Sequence, residues 1–378
     1  VEVTLSDDQE FFRDTTRRFL VAECPLTEVR ALASCDAGFD RSYWSQGGEL
    51  GWISLLVPES LGGGNISGRG VVDLTIVADA FGRHVAPGPL GPTNVVAAAL
   101  ARAGTDAQRD LLLGGLVAGE EIAAWCGAEH ALGVPSAVLP TYTSTTAGVV
   151  ISGVSTPVEA AAQAGHLLVT ARGLDGLAQY LLPVETAGVT VTPLHSLDLV
   201  RRFARVEFAD VVVPPSARVG TPDSTVDDVE RQLQLALVMQ TAEMVGAAER
   251  TFEFTLEWAF DRYSFGRPLA SYQEIKHRFA DMKTWLEAGH ALADALAREV
   301  DAGAPTAVET ASAAKAYIGE YMAMLMQDCV QIHGGIGLTA DHDLHLFLRR
   351  VTADRSVHGL PADHRQRIAA LVAGKAAA

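Results

Sequence analysis

From about Val226 to Arg262 the chain keeps one helical pattern for roughly 37 residues, about 55 Å at 1.5 Å per residue. Gly266 and Pro268 then stop it. Ser271 with Glu274 predicts a capping box for a second helix, which ends near Asp301-Ala302-Gly303. Thr306 with Glu309 predicts the cap of a third, which runs to Gly334-Gly335. A fourth helical segment begins near Asp341, and Pro361 can open a short fifth. Long helices joined by short loops pack as antiparallel neighbours, so residues 224–378 are expected to form a four-helix bundle.

The chain before the bundle has two textures. Residues 1–120 read as helices: Ser6 and Gln9 form a capping-box pattern, and Phe11, Phe12, Phe19 and Leu20 recur at helical spacing. Val57-Pro58-Glu59 and Gly62-Gly63-Gly64 mark a loop there. Within residues 121–223 the period falls to that of strands. Val149-Val150-Ile151, His166 to Thr170, Gln179 to Leu182, Val189 to Thr192 and Ala204 to Phe208 are short, apolar and separated by turn residues. The expected fold is therefore multi-domain α+β: an N-terminal helical domain, a central β-sandwich or barrel, and a C-terminal helical bundle.

The balance of 29 basic against 46 acidic residues gives a formal charge of −17, which argues against nucleic acid or an anionic membrane surface as partner. No apolar run is long enough to span a bilayer, and the acidic, polar residues from Val1 to Asp8 do not read as a secretory signal, so a cytoplasmic location is expected. Cys24, Cys35, Cys126 and Cys329 show no metal-ligand spacing and are read as reduced thiols, with no metal site.

Two motifs carry chemical information. Arg262-Tyr263-Ser264-Phe265-Gly266-Arg267-Pro268, followed by Gln273, lies between the first two bundle helices. Gln331-Ile332-His333-Gly334-Gly335-Ile336-Gly337 answers it after the third. Together, and with the helical–β–helical order, they resemble the acyl-CoA dehydrogenase family of flavoproteins over nearly the whole chain. The resemblance implies an FAD lying extended between subunits. Its ADP half would be met by Arg262 at the pyrophosphate, by Phe265 packing on the cofactor, by Gln273 on the adenosine side, and by Gln331 with the Gly334-Gly335 backbone. The chemistry suits the residue types: arginine is a fork-shaped donor for phosphate, and paired glycines let a backbone approach a ligand.

The chain departs from the family at the isoalloxazine end. Where the family carries Thr-Glu-Pro and then Gly-Ser-Asp, this chain has Ala128-Glu129-His130-Ala131-Leu132-Gly133-Val134-Pro135. The family's Trp-Ile-Thr-Asn run is replaced by Val149 to Pro157, and Trp125 is out of register and reads as core. Counting from Gln331 puts Val357-His358-Gly359-Leu360 where the family has the Glu of Tyr-Glu-Gly-Thr, its catalytic base. His358 is one candidate base, because a neutral imidazole can take a proton near pH 7. Some relatives place the base on the first bundle helix, near Ala236 here; Glu243, two turns on and on the same face, is the other candidate. The alternative for Glu243 is a buried carboxylate paired with an arginine, and Glu230 reads as a solvated first-turn acid.

The resemblance thus implies one subunit of a heterotetrameric acyl-CoA dehydrogenase, acting on an acyl-CoA substrate such as a sterol side-chain thioester. A homologous partner subunit would supply the isoalloxazine pocket and the base. A homotetramer using His358 or Glu243, and a non-catalytic interaction subunit, are the other readings. The acyl chain and the electron-transfer partner are not legible in the sequence.

Overall fold

A computed structural model describes residues 5–127, 139–146 and 148–377. The segment Ala128 to Pro135, where the flavin motif is eroded, lies outside the described residues. The first helices are α1 (Asp7–Glu23), α2 (Leu26–Leu32), α3 (Arg41–Glu49), α4 (Gly70–His84) and α5 (Leu90–Ala103). The Ser6–Gln9 capping box forms as expected, each side chain bonding the other's backbone N–H. Asp40 caps α3 by accepting from the N–H groups of Ser42 and Tyr43. Their common core is aromatic: Trp52 meets Phe19, Tyr43, Trp44 and Phe81 within 6.3 Å, mostly edge to face. Two short helical turns, α6 (Asp106–Gln108) and α7 (Gly114–Val117), flank a π-helical stretch and lead into the strands.

All five strand segments read from the sequence are present. The strands are β1 (Ala123–Cys126), β2 (Thr141–Thr145), β3 (Gly148–Glu159), β4 (His166–Gly173), β5 (Gly176–Pro183), β6 (Val189–Leu194), β7 (Phe203–Val213) and β8 (Arg218–Val219). They form one mixed sheet in the order β6-β7-β3-β2-β4-β5-β8, with β1 added parallel to β4. Alternating burial along β7 shows one face turned to the core and the other to solvent.

The last helices are α8 (Thr225–Asp261), α9 (Gln273–Asp301), α10 (Ala307–His333), α11 (Leu344–Ser356) and α12 (Pro361–Ala377). Two predicted caps form differently. The N-cap of α9 is Tyr272, and the Ser271 hydroxyl instead donates to the Pro268 carbonyl at 2.7 Å. Thr306 stands at the N-cap of α10 in helical backbone geometry and makes no side-chain cap. Glu230 is not simply solvated: it accepts from Arg367 of α12 and so ties the last helix to α8.

Helix α8 organises the molecule because it touches all three layers. Gly82 of α4 and Gly246 of α8 let those helices approach closely; a Cβ at Gly82 would lie 1.9 Å from the Glu243 carbonyl oxygen. On the sheet side, buried Gln179 of β5 and Gln232 of α8 exchange amide hydrogen bonds of 2.7 and 2.8 Å. Glu243 is therefore held where the N-terminal helices, the strand region and the bundle meet.

Candidate active site and cofactor face

The two C-terminal motifs converge in space. Helix α8 ends at Arg262, whose N–H still reaches the Trp258 carbonyl at 2.8 Å. The chain then turns through a two-residue hairpin, β9 (Tyr263–Ser264) to β10 (Arg267–Pro268). Phe265 and Gly266 occupy its tip with φ of 49° and 80°, the double left-handed geometry of a type I′ turn. A phenylalanine in that region is strained, and its ring stands 99% exposed. Tyr272 braces the hairpin: its hydroxyl donates to the Ser264 carbonyl at 2.7 Å, and the Arg267 guanidinium lies 3.8 Å over its ring.

A stack joins this hairpin to the second motif. The Arg262 guanidinium lies 5.9 Å from the Trp258 ring, and that ring lies parallel to the His333 imidazole at 5.2 Å. His333 is the last residue of α10, immediately before Gly334. Arg262, Phe265, Gln273, Gln331, Gly334 and Gly335 are all exposed. A Cβ built on Gly334 or Gly335 would meet nothing within 4 Å, so the approach to that backbone is open. His333 donates through Nδ1 to the Cys329 carbonyl at 2.9 Å, which leaves Nε2 as an acceptor. His333 Nε2 and Trp258 Nε1 are buried without hydrogen-bond partners among the described residues. The residue types on this face suit the phosphate and adenosine end of FAD: a cation, open glycine backbone and an exposed aromatic ring. Sequence reasoning missed Trp258 and His333 as the link; their spacing from the motifs held the signal.

The two candidate bases stand in different surroundings. Glu243 is buried. One carboxylate oxygen accepts from Arg350 at 2.5 Å, and the other lies 3.3 Å from Arg201. This is the arginine-paired carboxylate weighed as its alternative. Arg350 and Arg201 extend the cluster to Asp198, Glu159 and Asp354. Arg350 also donates to the Ala86 carbonyl at 3.1 Å, so one guanidinium spans all three layers. Burial alone would lower the Arg350 pKa, but Asp198 and Glu243 outweigh it and raise the value. Burial raises Glu159, and it raises Asp354 despite Arg201 beside it.

His358 follows α11 with φ of 59°, half-buried, its ring 5.5 Å from that of Trp125. Trp125 is buried, as expected of core, yet it also covers the position the family gives to its base. The turn bearing His358 is clamped from below. Buried Lys315 donates to the Asp354 and Val357 carbonyls and to Gln240, and buried His364 donates to the His358 carbonyl at 2.9 Å. Burial lowers the His358 pKa to about 3, helped by the charges of Lys315 and Arg201. So weak a base is far from the match to ambient pH that proton abstraction needs. No hydrogen bond or ion pair joins Glu243 and His358 among the described residues. Lys315, Arg350 and Asp354 were not singled out from sequence. Phe347, Arg350, Val351 and Asp354 share one helical face, and charges on such a core-facing stripe were the available signal.

The comparisons agree with this architecture. The family model for the acyl-CoA dehydrogenase N-terminal domain matches residues 6–120, and that for the C-terminal domain matches residues 227–372. The chain belongs to the acyl-CoA dehydrogenase family. The acyl-CoA dehydrogenase IpdE2 of Mycobacterium tuberculosis is 30% identical over 368 residues, 97% of this chain and 98% of the relative. Among solved structures, a variant of the Tcur3481–Tcur3483 steroid ACAD superposes with a TM-score of 0.89 at 26% identity, covering 99% and 100% of the two chains. The ChsE4–ChsE5 complex of Mycobacterium tuberculosis gives 0.87 at 26% identity, covering 99% of each. Acyl-CoA dehydrogenase membership bears out the family reading, the FAD-dependent class and an oxidoreductase acting on CH–CH bonds. Among the described residues no helix is long and apolar enough to cross a membrane.

Proposed function

We propose that this chain is the non-base subunit of a heteromeric, FAD-dependent acyl-CoA dehydrogenase. Residues 1–120, 121–223 and 224–378 act as its three domains, and the last supplies the ADP-side contacts to a flavin shared with a homologous partner. One contrast carries the reading: the face built on Arg262 and Gly334 is open, while neither candidate base is poised to take a proton. Glu243 is saturated by two arginines, and His358 is a weak base under Trp125.

When bound, FAD would supply the hydride acceptor for α,β-dehydrogenation of an acyl-CoA, with a carboxylate taking the α-proton. Toward that cofactor, Arg262 offers its guanidinium to the diphosphate, where arginine's fork can bind two oxygens. The Gly334-Gly335 backbone admits close approach, Phe265 presents apolar surface, and Gln273 and Gln331 offer amides to the adenosine side. The similarity to a steroid ACAD and to the ChsE4–ChsE5 complex supports a bulky sterol-derived CoA thioester and a homologous partner.

Flavin absorbance measured against protein tests the reading. The chain purified alone is expected to hold little FAD, and the co-expressed pair about one per heterodimer. A homo-oligomer of this chain carrying close to one FAD per subunit would overturn the proposal and favour a homotetramer.

A further inference from the structure

We infer that His333 is a positioning residue of the cofactor face: through Trp258 it fixes the Arg262 guanidinium and holds it in register with the Gly334-Gly335 backbone. This role rests on the proposed function, in which the face receives the ADP half of FAD. Among the described residues no hydrogen bond or ion pair engages the exposed Arg262 side chain. Its guanidinium lies over the Trp258 ring, 5.9 Å from the centroid. An arginine left to itself samples many rotamers, and freezing them on binding costs affinity. Stacking over an indole limits that freedom and leaves the N–H donors free for phosphate oxygens.

Trp258 needs a support of its own. Its Nε1 is buried and has no hydrogen-bond partner among the described residues, so packing alone sets the ring. The ring parallel to it is His333, at 5.2 Å and 17°. His333 is pinned in turn. Its Nδ1–H donates to the Cys329 carbonyl at 2.9 Å, and Phe254 and His342 stand edge-on to it at 5.8 and 4.6 Å. A Cβ on Gly337 would fall 2.9 Å from the His333 Cβ, so the turn after Gly335 is folded against this residue. Burial lowers the His333 pKa despite the Cys329 carbonyl, so the imidazole is neutral at pH 7 and sets no like charge beneath Arg262. One rigid, neutral ring thus joins the cation of the first motif to the glycines of the second. A binding side chain is only as well placed as the residues that lock it.

The test is equilibrium dialysis of FAD against the flavin-carrying assembly of this chain, with His333→Asn, His333→Phe, Arg262→Ala and the His333→Asn, Arg262→Ala double variant. Asparagine keeps a donor for the Cys329 carbonyl and removes the ring; phenylalanine keeps a ring and removes the donor. His333→Asn is expected to weaken FAD binding about three- to tenfold, and His333→Phe to stay within about twofold of wild type. Because His333 acts through Arg262, His333→Asn should change affinity by less than about twofold once Arg262 is alanine. A merely structural role would lower affinity equally in both backgrounds. Circular dichroism and a thermal melt establish that each variant is folded; if His333→Asn does not fold, Trp258→Leu, which removes the ring between the two, takes its place in the cycle. Full additivity, a His333→Phe variant as weak as His333→Asn, or wild-type affinity in His333→Asn while Arg262→Ala weakens binding would overturn this inference alone. Wild-type affinity in Arg262→Ala would overturn the cofactor assignment of the face, and the role of His333 with it.

Discussion

Arg350→Met tests whether the buried charge cluster holds the three layers together. Arg350 is fully buried and its guanidinium serves Asp198, Glu243 and the Ala86 carbonyl. Methionine keeps much of the volume and removes every donor. Asp198 would retain the backbone N–H groups of Val200 and Arg201 at 2.9 and 2.8 Å. Glu243 would retain only Arg201 at 3.3 Å. Removing one partner of a buried ion pair costs about 3–5 kcal/mol. The orphaned Ala86 carbonyl adds about 1–3 kcal/mol, partly offset by the extra apolar burial of methionine. The net expectation is a loss of about 3–5 kcal/mol, a large part of the roughly 5–15 kcal/mol that holds a domain folded. Urea unfolding followed by circular dichroism measures it, run as a cycle with Glu243→Gln and the double variant. Because Gln removes the stranded charge, the double variant should be at least about 1 kcal/mol more stable than the sum of the single losses implies. A loss below about 1 kcal/mol for Arg350→Met, or strict additivity, would refute the argument that these groups form one unit.

Arg262→Ala in the assembled complex should weaken flavin retention about ten- to a hundredfold without unfolding it, because a charge-assisted phosphate contact is worth about 1.5–3 kcal/mol; equilibrium dialysis of FAD reads the change, and unchanged retention would make Arg262 a helix-end residue. His358→Ala should leave kcat of the complex within a few-fold of wild type, whereas a true base contributes about 10²- to 10⁴-fold; a loss of a hundredfold with flavin intact would restore His358 as the base. Buried His364 has its pKa lowered to about 4 from an ordinary 6.5, so the unfolded chain binds the extra proton between those values. Its contribution is full above pH 6.5 and is lost as pH falls toward 4, at up to about 1.4 kcal/mol per pH unit; His364→Gln should make the pH slope of urea-midpoint stability shallower across that window, and an unchanged slope would count against it. Gly82→Ala should cost about 1–3 kcal/mol in the same assay, since its Cβ would press into the backbone of α8.

The helical, strand and helical order was legible because periods of 3.6 and 2 residues are local properties, and so were α8 from Val226 to Arg262 and the five strand segments. The motifs around Arg262 and Gln331 were legible too, because their residue types and order are written in the chain. The caps of α9 and α10 were misread, since whether Ser271 or Thr306 turns toward a helix end depends on the preceding backbone. What the sequence could not determine was the standing of Glu243 and His358. Each is a plausible base as a residue type. Only folding brings Arg201 from the strand region and Arg350 from α11 onto Glu243, and Trp125 from β1 onto His358. Which groups surround a side chain depends on parts of the chain distant in sequence. For these two residues that surrounding is a tertiary fact.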